Sequence, residues 1–299
     1  PLLKAHSGST HGYEVCDPTQ LNPELGTEAD LEALSAALRD RGMGLVLDIV
    51  PNHMAIAGPE NPWWWDVLRL GQASPFANNF DIDWDPPCVA LRGKVLMPVL
   101  DDEIERVLDR GELQVVCENA EVTVRYFDQQ FPVHPESILV PGKFLHEAIA
   151  DFDSNPESLK HFLARQPYRL AFWRHGDLHL NYRRFFTVTH LVGLRVELPQ
   201  VFADTHDRIL DWHQRGLLDG LRVDHPDGLR DPQAYLHRLT HAAPGAWIVV
   251  EKILEPDESL PADWPVAGTT GYDFLNRVGG LFIDARSEEH TSELQSRQV

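Results

Sequence analysis

Apolar residues recur at helical and strand spacings in the first part of the chain. Leu31, Leu34 and Leu38 repeat at helical spacing, which predicts a helix over residues 28–41. Residues 44–50 (GLVLDIV) then form an almost wholly apolar run, which is typical of a strand buried on both faces of a sheet. A helix that leads into such a strand favours a parallel sheet.

The same order returns in the second half of the chain. The apolar spacing predicts a helix over residues 198–215, and residues 220–224 (GLRVD) follow as a strand. Asp231 and Pro232 are typical of a helix start, and residues 246–251 (AWIVVE) form the next buried run. Three strands with intervening helices predict an α/β barrel or a doubly wound sheet.

Between residues 54 and 195 the alternation of helices and strands breaks. Segments 113–117 and 122–126 predict a hairpin, because they are strand-like and separated by a short polar stretch. Residues 144–166 predict a largely helical piece with an internal break at Asn155. We interpret the whole region as a subdomain inserted into a strand-to-helix loop.

Composition and charge exclude several classes of function. Hydrophobic residues are 43% and charged residues 24% of the 299 residues, the balance of a folded globular protein. The formal charge of -20 opposes binding to nucleic acid or an anionic membrane. No stretch approaches the roughly 18 apolar residues of a spanning helix, and no signal peptide is apparent. With only three widely spaced cysteines, Cys16, Cys88 and Cys117, a cytoplasmic location is expected.

The two ends of the chain depart from this pattern. Leu2 and Leu3 are typical of the end of a strand, so we expect an upstream strand to be missing. Residues 286–299 lose the apolar pattern, and we interpret them as a non-native tail. We therefore expect a truncated chain that is inactive by itself and unstable, because a barrel that lacks strands exposes sheet edges.

Acidic residues end, or nearly end, the three predicted strands. Asp48, Asp224 and Glu251 should lie together, because the carboxyl ends of parallel strands face a shared site. Two carboxylates on adjacent strands suit glycosyl transfer, and a separation of about 5 to 5.5 Å would indicate retention. Arg222 lies two residues before Asp224 on the same side of the strand, so it is expected to keep Asp224 ionised. Glu251 is then the candidate for the protonated acid.

Each of these features also has a structural explanation. A single acid at a strand end is more often a cap or an ion-pair partner. Asn52 and His53 are consistent with a turn, and residues 11–13 with a loop. The tryptophans at 63–65 are a carbohydrate-stacking platform or, more often for aromatic clusters, core. We expect neither a metal nor a cofactor, because no metal-ligand spacing occurs at His175, His179, His190, His206 and His213.

Taken together, several motifs resemble the α-amylase superfamily, glycoside hydrolase family 13. DIVPNH (48–53), GLRVDH (220–225) and VEK (250–252) resemble its first three signature regions in order and spacing. HGY (11–13) resembles the segment in which that family places an aromatic ring against the sugar.

The resemblance implies an α/β fold, a partial (β/α)8 TIM barrel of α-amylase type with a subdomain inserted after an early barrel strand. Residues 1–53 and 196–285 would form the catalytic barrel, without its upstream strand and truncated at the end. Residues 54–195 would form the inserted subdomain and connecting helices, and 286–299 the tail.

The resemblance also implies roles for single residues. Asp224 would be the nucleophile and Glu251 the general acid/base. The family's third catalytic acid has no match after Glu251. The sugar and the nucleophile would be held by Tyr13, Asp48, Asn52, His53, Arg222 and His225.

Two further stretches narrow the expected activity. NYRRFF (181–186) and GTTGYDF (268–274) resemble members of the superfamily that act on maltooligosaccharides. Those members convert the reducing-end α-1,4 bond into an α,α-1,1 bond by intramolecular transglycosylation, with a trehalose-releasing hydrolase as pathway partner. Two other enzymes remain alternatives, an α-glucan hydrolase and a 4-α-glucanotransferase, since both share the catalytic residues. A third alternative is a non-catalytic amylase-like binding subunit.

Overall fold

The computed structural model describes residues 1–283 except Ala57, Ala120, Val140, Pro141, Lys143 and Pro256. The predicted tail at 286–299 lies outside the described residues. The strands are β1 (Leu3–Ala5), β2 (Val15–Leu21), β3 (Val46–Ile49), β4 (His53–Ala55), β5 (Val95–Leu100), β6 (Leu113–Glu118), β7 (Glu121–Tyr126), β8 (Gln129–Pro132), β9 (Tyr168–Phe172), β10 (Arg184–Phe185), β11 (Val188–Gly193), β12 (Gly220–Val223), β13 (Trp247–Val250) and β14 (Gly268–Thr269). The helices are α1 (Glu28–Arg39), α2 (Pro62–Leu70), α3 (Ile104–Asp109), α4 (Leu145–Ser154), α5 (Pro156–Ala164), α6 (Gly176–His179), α7 (Pro199–Gln214), α8 (Pro232–Ala242) and α9 (Tyr272–Gly280).

The described residues form two compact units. The first contains Pro1–Leu31 and Val50–Ile209, and the second contains Glu32–Ile49 and the described residues from Leu210 onward. Within the described part of the chain, no helix combines the length and the apolar character needed to cross a membrane.

A four-stranded parallel sheet forms the centre of the second unit. Its order is β14-β13-β12-β3, and Arg222 on β12 stands in register with Asp48 and Val249. The predicted strands and their parallel pairing are confirmed. One face of the sheet is buried, and the side chains that lie on it are those of Leu47, Ile49, Leu221, Val223, Ile248 and Val250.

The opposite face of this sheet corrects one prediction. The expectation that both faces are buried is wrong, because Val46 is 43% and Trp247 is 54% exposed. Each is the first residue of a four-residue strand and therefore lies at the rim of the sheet. Asp48 and Arg222 lie on this same face. The apolar run in the sequence does not show on which face of the sheet a residue lies.

Close packing fixes the middle strand between its neighbours. A Cβ atom on Gly220 would collide with the carbonyl oxygen of Trp247 on β13. On the other side, the Asp219 carboxylate accepts a hydrogen bond from the Leu45 amide at 2.8 Å. The relative register of the three strands that carry the acids is therefore held at their amino ends.

The first unit is built from several small sheets. It contains the antiparallel pair β1-β2, the sheet β10-β11-β4, the parallel pair β5-β9 and the meander β6-β7-β8. The predicted hairpin is confirmed by β6 and β7, with Leu113 opposite Tyr126, although Ala120 in its turn is outside the described residues. Strand β8 was not predicted. The helical piece with a break at Asn155 is confirmed as α4 and α5.

Two of the three consecutive tryptophans belong to the core of the first unit. Trp63 and Trp64 are buried, and Trp64 meets Phe80 and Tyr182 edge-on, with ring centroids 5.0 and 5.5 Å apart. Trp65 is half-buried. The interpretation of the cluster as core is thus confirmed for its first two members.

Candidate active site

Two carboxylates share one arginine at the carboxyl edge of the parallel sheet. Arg222 Nη1 donates to both oxygens of Asp48, at 2.7 and 2.8 Å, and to Asp224 Oδ1 at 2.9 Å. The pairing follows from the fold, because Arg222 and Asp48 are in register on adjacent strands and Asp224 lies two residues further on the same side. The predicted proximity of Arg222 to Asp224 is observed.

Burial dominates the electrostatics of Asp224. Its side chain is only 13% exposed, and burial raises its pKa above the ordinary value. The Arg222 guanidinium acts in the opposite direction, while the charges of Asp48 and Glu251 raise the pKa further. Arg222 therefore favours the ionised form as expected, but it does not restore the pKa of a solvated aspartate.

Glu251 stands beside Asp224 on the neighbouring strand. Its amide donates to the Val223 carbonyl at 2.8 Å, which continues the β12-β13 ladder by one step. The backbones of Asp224 and Glu251 are consequently about one strand spacing, roughly 4.8 Å, apart. The sheet thus brings the two acids together without any loop rearrangement.

His225 links the two acids through its backbone. The residue has φ 44° and ψ 56°, a left-handed conformation that is uncommon for a residue with a side chain. Its amide donates to Glu251 Oε2 at 3.3 Å. Backbone strain of this kind is often found at functional sites, and here it aims an N–H at a candidate catalytic carboxylate.

Sequence reasoning missed the role of Lys252, although the VEK motif contains it. Its side chain is only 10% exposed, and Nζ lies 2.9 Å from Asp227 Oδ2 and 2.9 Å from Glu258 Oε1. Burial alone would lower the pKa of Lys252, but the hydrogen bonds to both carboxylates raise it. The lysine therefore stays charged and ties the segment after Glu251 to two neighbouring loops.

Asn52 and His53 are placed in the first unit, where both are almost completely buried, each 1% exposed. Asn52 Nδ2 lies 3.2 Å from His53 Nδ1, and the imidazole packs against Phe185 with ring centroids 4.4 Å apart. His53 begins β4, where it stands opposite Gly193 on β11. The structure thus places Asn52 in a bend and His53 at the start of a strand, as a buried pair in contact through their side chains.

Tyr13 lies in the loop between β1 and β2 of the first unit. It is half-buried, its amide donates to His11 Nδ1 at 3.2 Å, and the two rings are 5.6 Å apart. The next residue, Glu14, has His6 Nε2 at 3.4 Å and His11 Nε2 at 3.7 Å. Contacts among residues 6–14 therefore help to hold the HGY segment in place.

Of the residues selected from the sequence, the structure thus groups Asp48, Arg222, Asp224, His225 and Glu251 in the second unit, and Tyr13, Asn52 and His53 in the first. Among the described residues, no cluster of three or more His, Cys, Asp or Glu side chains is suited to a metal ion. Cavities of about 400 and about 700 Å³ lie in the first unit, and neither is lined by any of these eight residues, although Tyr182 of the NYRRFF stretch lines both. Chemistry is therefore assigned from the carboxylates and not from cavity size.

Comparison with known proteins places this geometry in context. A profile described as the catalytic domain of α-amylases matches residues 1–80. A Mycobacterium tuberculosis protein named putative maltooligosyl trehalose synthase is 44% identical over 298 residues, 98% of this chain and 35% of that protein. The chain is similar to maltooligosyltrehalose synthases. It spans about a third of the length of the curated relatives it matches over nearly its whole sequence.

Solved structures give the same result. Maltooligosyltrehalose synthase from Arthrobacter ramosus matches with a TM-score of 0.79 and 45% identity, over 92% of this chain and 33% of that one. A hypothetical maltooligosyl trehalose synthase from Sulfolobus tokodaii matches with a TM-score of 0.76 and 36% identity, over 92% and 34%. The resemblance stated from the motifs is confirmed, and the chain has an α/β fold of the α-amylase type.

Proposed function

We propose that this chain is part of a maltooligosyltrehalose synthase, a glucosylmutase that converts the reducing-end α-1,4 bond of a maltooligosaccharide into an α,α-1,1 bond. The observation that carries the proposal is the carboxylate cluster. Arg222 joins Asp48 to Asp224 and Glu251 follows on the next strand, in a chain similar to such synthases over 98% of its length.

In the first step, Asp224 attacks the anomeric carbon next to the reducing-end glucose. Glu251 gives its proton to the departing glycosidic oxygen, so the bond breaks and the remaining glucan is held covalently on Asp224. In the second step, the released glucose turns and presents its anomeric hydroxyl. Glu251 takes the hydroxyl proton, the oxygen attacks the same carbon, and Asp224 leaves, which gives net retention.

The other selected residues bind and orient in this proposal. Arg222 holds Asp224 for attack, and Asp48 fixes Arg222 from the opposite side. The resemblance assigns contacts with the sugar to Tyr13, Asn52, His53 and His225. The third acid of the family is expected in a part of the protein beyond this chain, since the relatives are about three times longer.

The domain arrangement belongs to the same proposal. Residues 1–53 and 196–285 would be parts of a (β/α)8 catalytic barrel, and 54–195 a subdomain inserted after an early barrel strand. We further propose a cytoplasmic enzyme that needs no cofactor and supplies its product to a trehalose-releasing hydrolase.

The test is incubation of the full-length protein with maltohexaose, with reducing ends and oligosaccharide sizes followed together. A fall in reducing ends at constant size is expected. A rise in reducing ends with shorter products would identify a hydrolase, and redistribution of sizes at constant reducing ends a glucanotransferase. Asp224→Asn and Glu251→Gln should each abolish turnover while the protein remains folded, and a near-normal rate in either would contradict the role assignment.

A further inference from the structure

The NYRRFF stretch contains an arginine that reaches the buried Asn52 and His53 pair. Arg183 Nη1 donates to Asn52 Oδ1 at 2.5 Å, and Nε donates to Asp81 Oδ2 at 3.0 Å. Its Nη2 donates to the Leu194 carbonyl at 2.6 Å. One planar guanidinium thus connects three segments that are far apart in the sequence.

Gly193 leaves room for this guanidinium because it has no side chain. A Cβ atom on Gly193 would lie 2.6 Å from Arg183 Cζ, closer than two such atoms can approach. The backbone adds support, because the Gly193 amide donates to the Arg183 carbonyl at 2.7 Å and the Arg183 amide donates to the Asp81 carbonyl at 2.9 Å. The position of the guanidinium is therefore determined by packing as well as by charge.

The contact with Arg183 determines which way the Asn52 amide faces. A guanidinium is a donor only, so the Asn52 atom it contacts must be the carbonyl oxygen Oδ1. The amide nitrogen Nδ2 is then the atom 3.2 Å from His53 Nδ1. Because Nδ2 can only donate, Nδ1 must accept, and the single proton of a neutral imidazole must be on Nε2.

We propose that Arg183 is a positioning residue that, through Asn52, fixes the neutral tautomer of His53 with its proton on Nε2. His53 then acts as a hydrogen-bond donor to a hydroxyl group of the glucan. The substrate in this statement rests on the proposed function, whereas the tautomer rests on the hydrogen-bond geometry alone.

A purely structural anchor is the competing explanation, and Asn52→Asp separates the two. Aspartate has the same shape, keeps an oxygen for Arg183 and adds an ion pair, so an anchor would be preserved or strengthened. It has no N–H, however, so His53 Nδ1 would have to donate, and at a pH high enough to keep the imidazole neutral Nε2 would become an acceptor. The tautomer would be reversed while the fold is retained.

The direct experiment is nitrogen NMR of the full-length protein with isotope-labelled histidine, with the His53 signal assigned by its absence in His53→Gln. The wild-type protein should show Nδ1 as the unprotonated nitrogen, and Asn52→Asp should show Nε2 in that state. Gly193→Ala should shift the wild-type signal towards a mixture, because the added methyl group displaces Arg183. Arg183→Met removes the contact with Asn52 and should produce the same mixture. Gly193→Ala keeps the proposal testable if Arg183→Met does not fold.

Activity on maltohexaose gives the second readout. Asn52→Asp should raise KM at least about tenfold, the effect of losing one hydrogen bond to substrate, with little change in the melting temperature. Arg92→Met is the matched control, since Arg92 Nε also lies 3.0 Å from an aspartate oxygen but on the exposed surface. It should leave KM unchanged.

A protonated Nδ1 in the wild-type protein, or an Asn52→Asp variant with unchanged tautomer or unchanged KM, would overturn the inference. Absence of mutase activity in a wild-type protein with the expected tautomer would instead count against the proposed function and leave the role of Arg183 intact.

Discussion

At the scale of single residues, Asp224 combines two opposing demands. In its proposed role as nucleophile, Asp224 has to be ionised, yet burial raises the pKa of its carboxyl group and Arg222 only partly compensates. The native state therefore binds the Asp224 proton more tightly than the unfolded chain does. Ionising Asp224 consequently destabilises the folded protein. We therefore expect this site to lower the free energy of unfolding in return for function.

The expected consequence is a pH-dependent stability difference between wild type and Asp224→Asn. As the pH rises from the ordinary aspartate value of 3.8 through the higher pKa of folded Asp224, the wild type loses stability that the asparagine variant keeps. The difference in melting temperature should move in favour of Asp224→Asn across this window and then become constant. A difference that is independent of pH, or that moves in favour of the wild type, would contradict the assigned environment of Asp224.

Local signals in the sequence predicted the acids of the site but not its supports. Asp224 and Glu251 were predicted because each closes an apolar run, and Asp48 because it lies near the end of one. Arg183 was not predicted to act on Asn52, because the two are separated by 131 positions and nothing in the local pattern connects them.

At the scale of elements, caps and apolar runs explain why the long elements could be predicted. Asp231 caps α8 by accepting from the Ala234 amide at 2.9 Å, with Pro232 in the first turn, as the sequence indicates. Strand β8 was missed because its four residues form only a short run, and the parallel pair β5-β9 was missed because its two strands are distant in the chain.

Two helix caps in the first unit should differ in their importance. Asn155 is exposed and caps α5 only through its own oxygen, so Asn155→Ala should reduce the free energy of unfolding by about 1 kcal/mol. Asn61 is completely buried, accepts from the Trp64 amide at 2.9 Å and donates to the Ala55 carbonyl at 2.7 Å. Asn61→Ala should therefore cost about 2 to 4 kcal/mol, because a buried carbonyl also loses its partner. Equal losses in denaturant unfolding would show that the Asn61 side chain is only a cap.

At the scale of the whole molecule, the sequence predicted the class of fold correctly. Apolar residues at helical spacing and short apolar runs indicate the helices and parallel strands in their order along the chain. The division of the chain was less accessible, since the first unit contains small sheets whose pairing depends on long-range contacts. The similarity to synthases covers 98% of this chain but 35% of the relative, so activity is a property to be measured in the full-length protein.

The proposed intramolecular transfer requires that the released glucose is retained until it reacts, because proximity is what favours glucose over bulk water. With isotope-labelled glucose in excess in the medium and unlabelled maltohexaose as substrate, the product should contain no label. Incorporation of label into the terminal trehalose unit would show that glucose exchanges with solution. That result would favour an intermolecular transferase on the same catalytic residues.

The central claim is that Asp224 carries the glycosyl group and Glu251 moves the proton. The most direct test uses Glu251→Gln with α-maltosyl fluoride, because fluoride leaves without an acid whereas the second step still needs the missing base. Mass spectrometry of peptides after acid quenching should find a maltosyl group on the peptide that contains Asp224, and none in the Asp224→Asn, Glu251→Gln double variant. Attachment at Asp48, or persistence of the adduct in the double variant, would contradict the account.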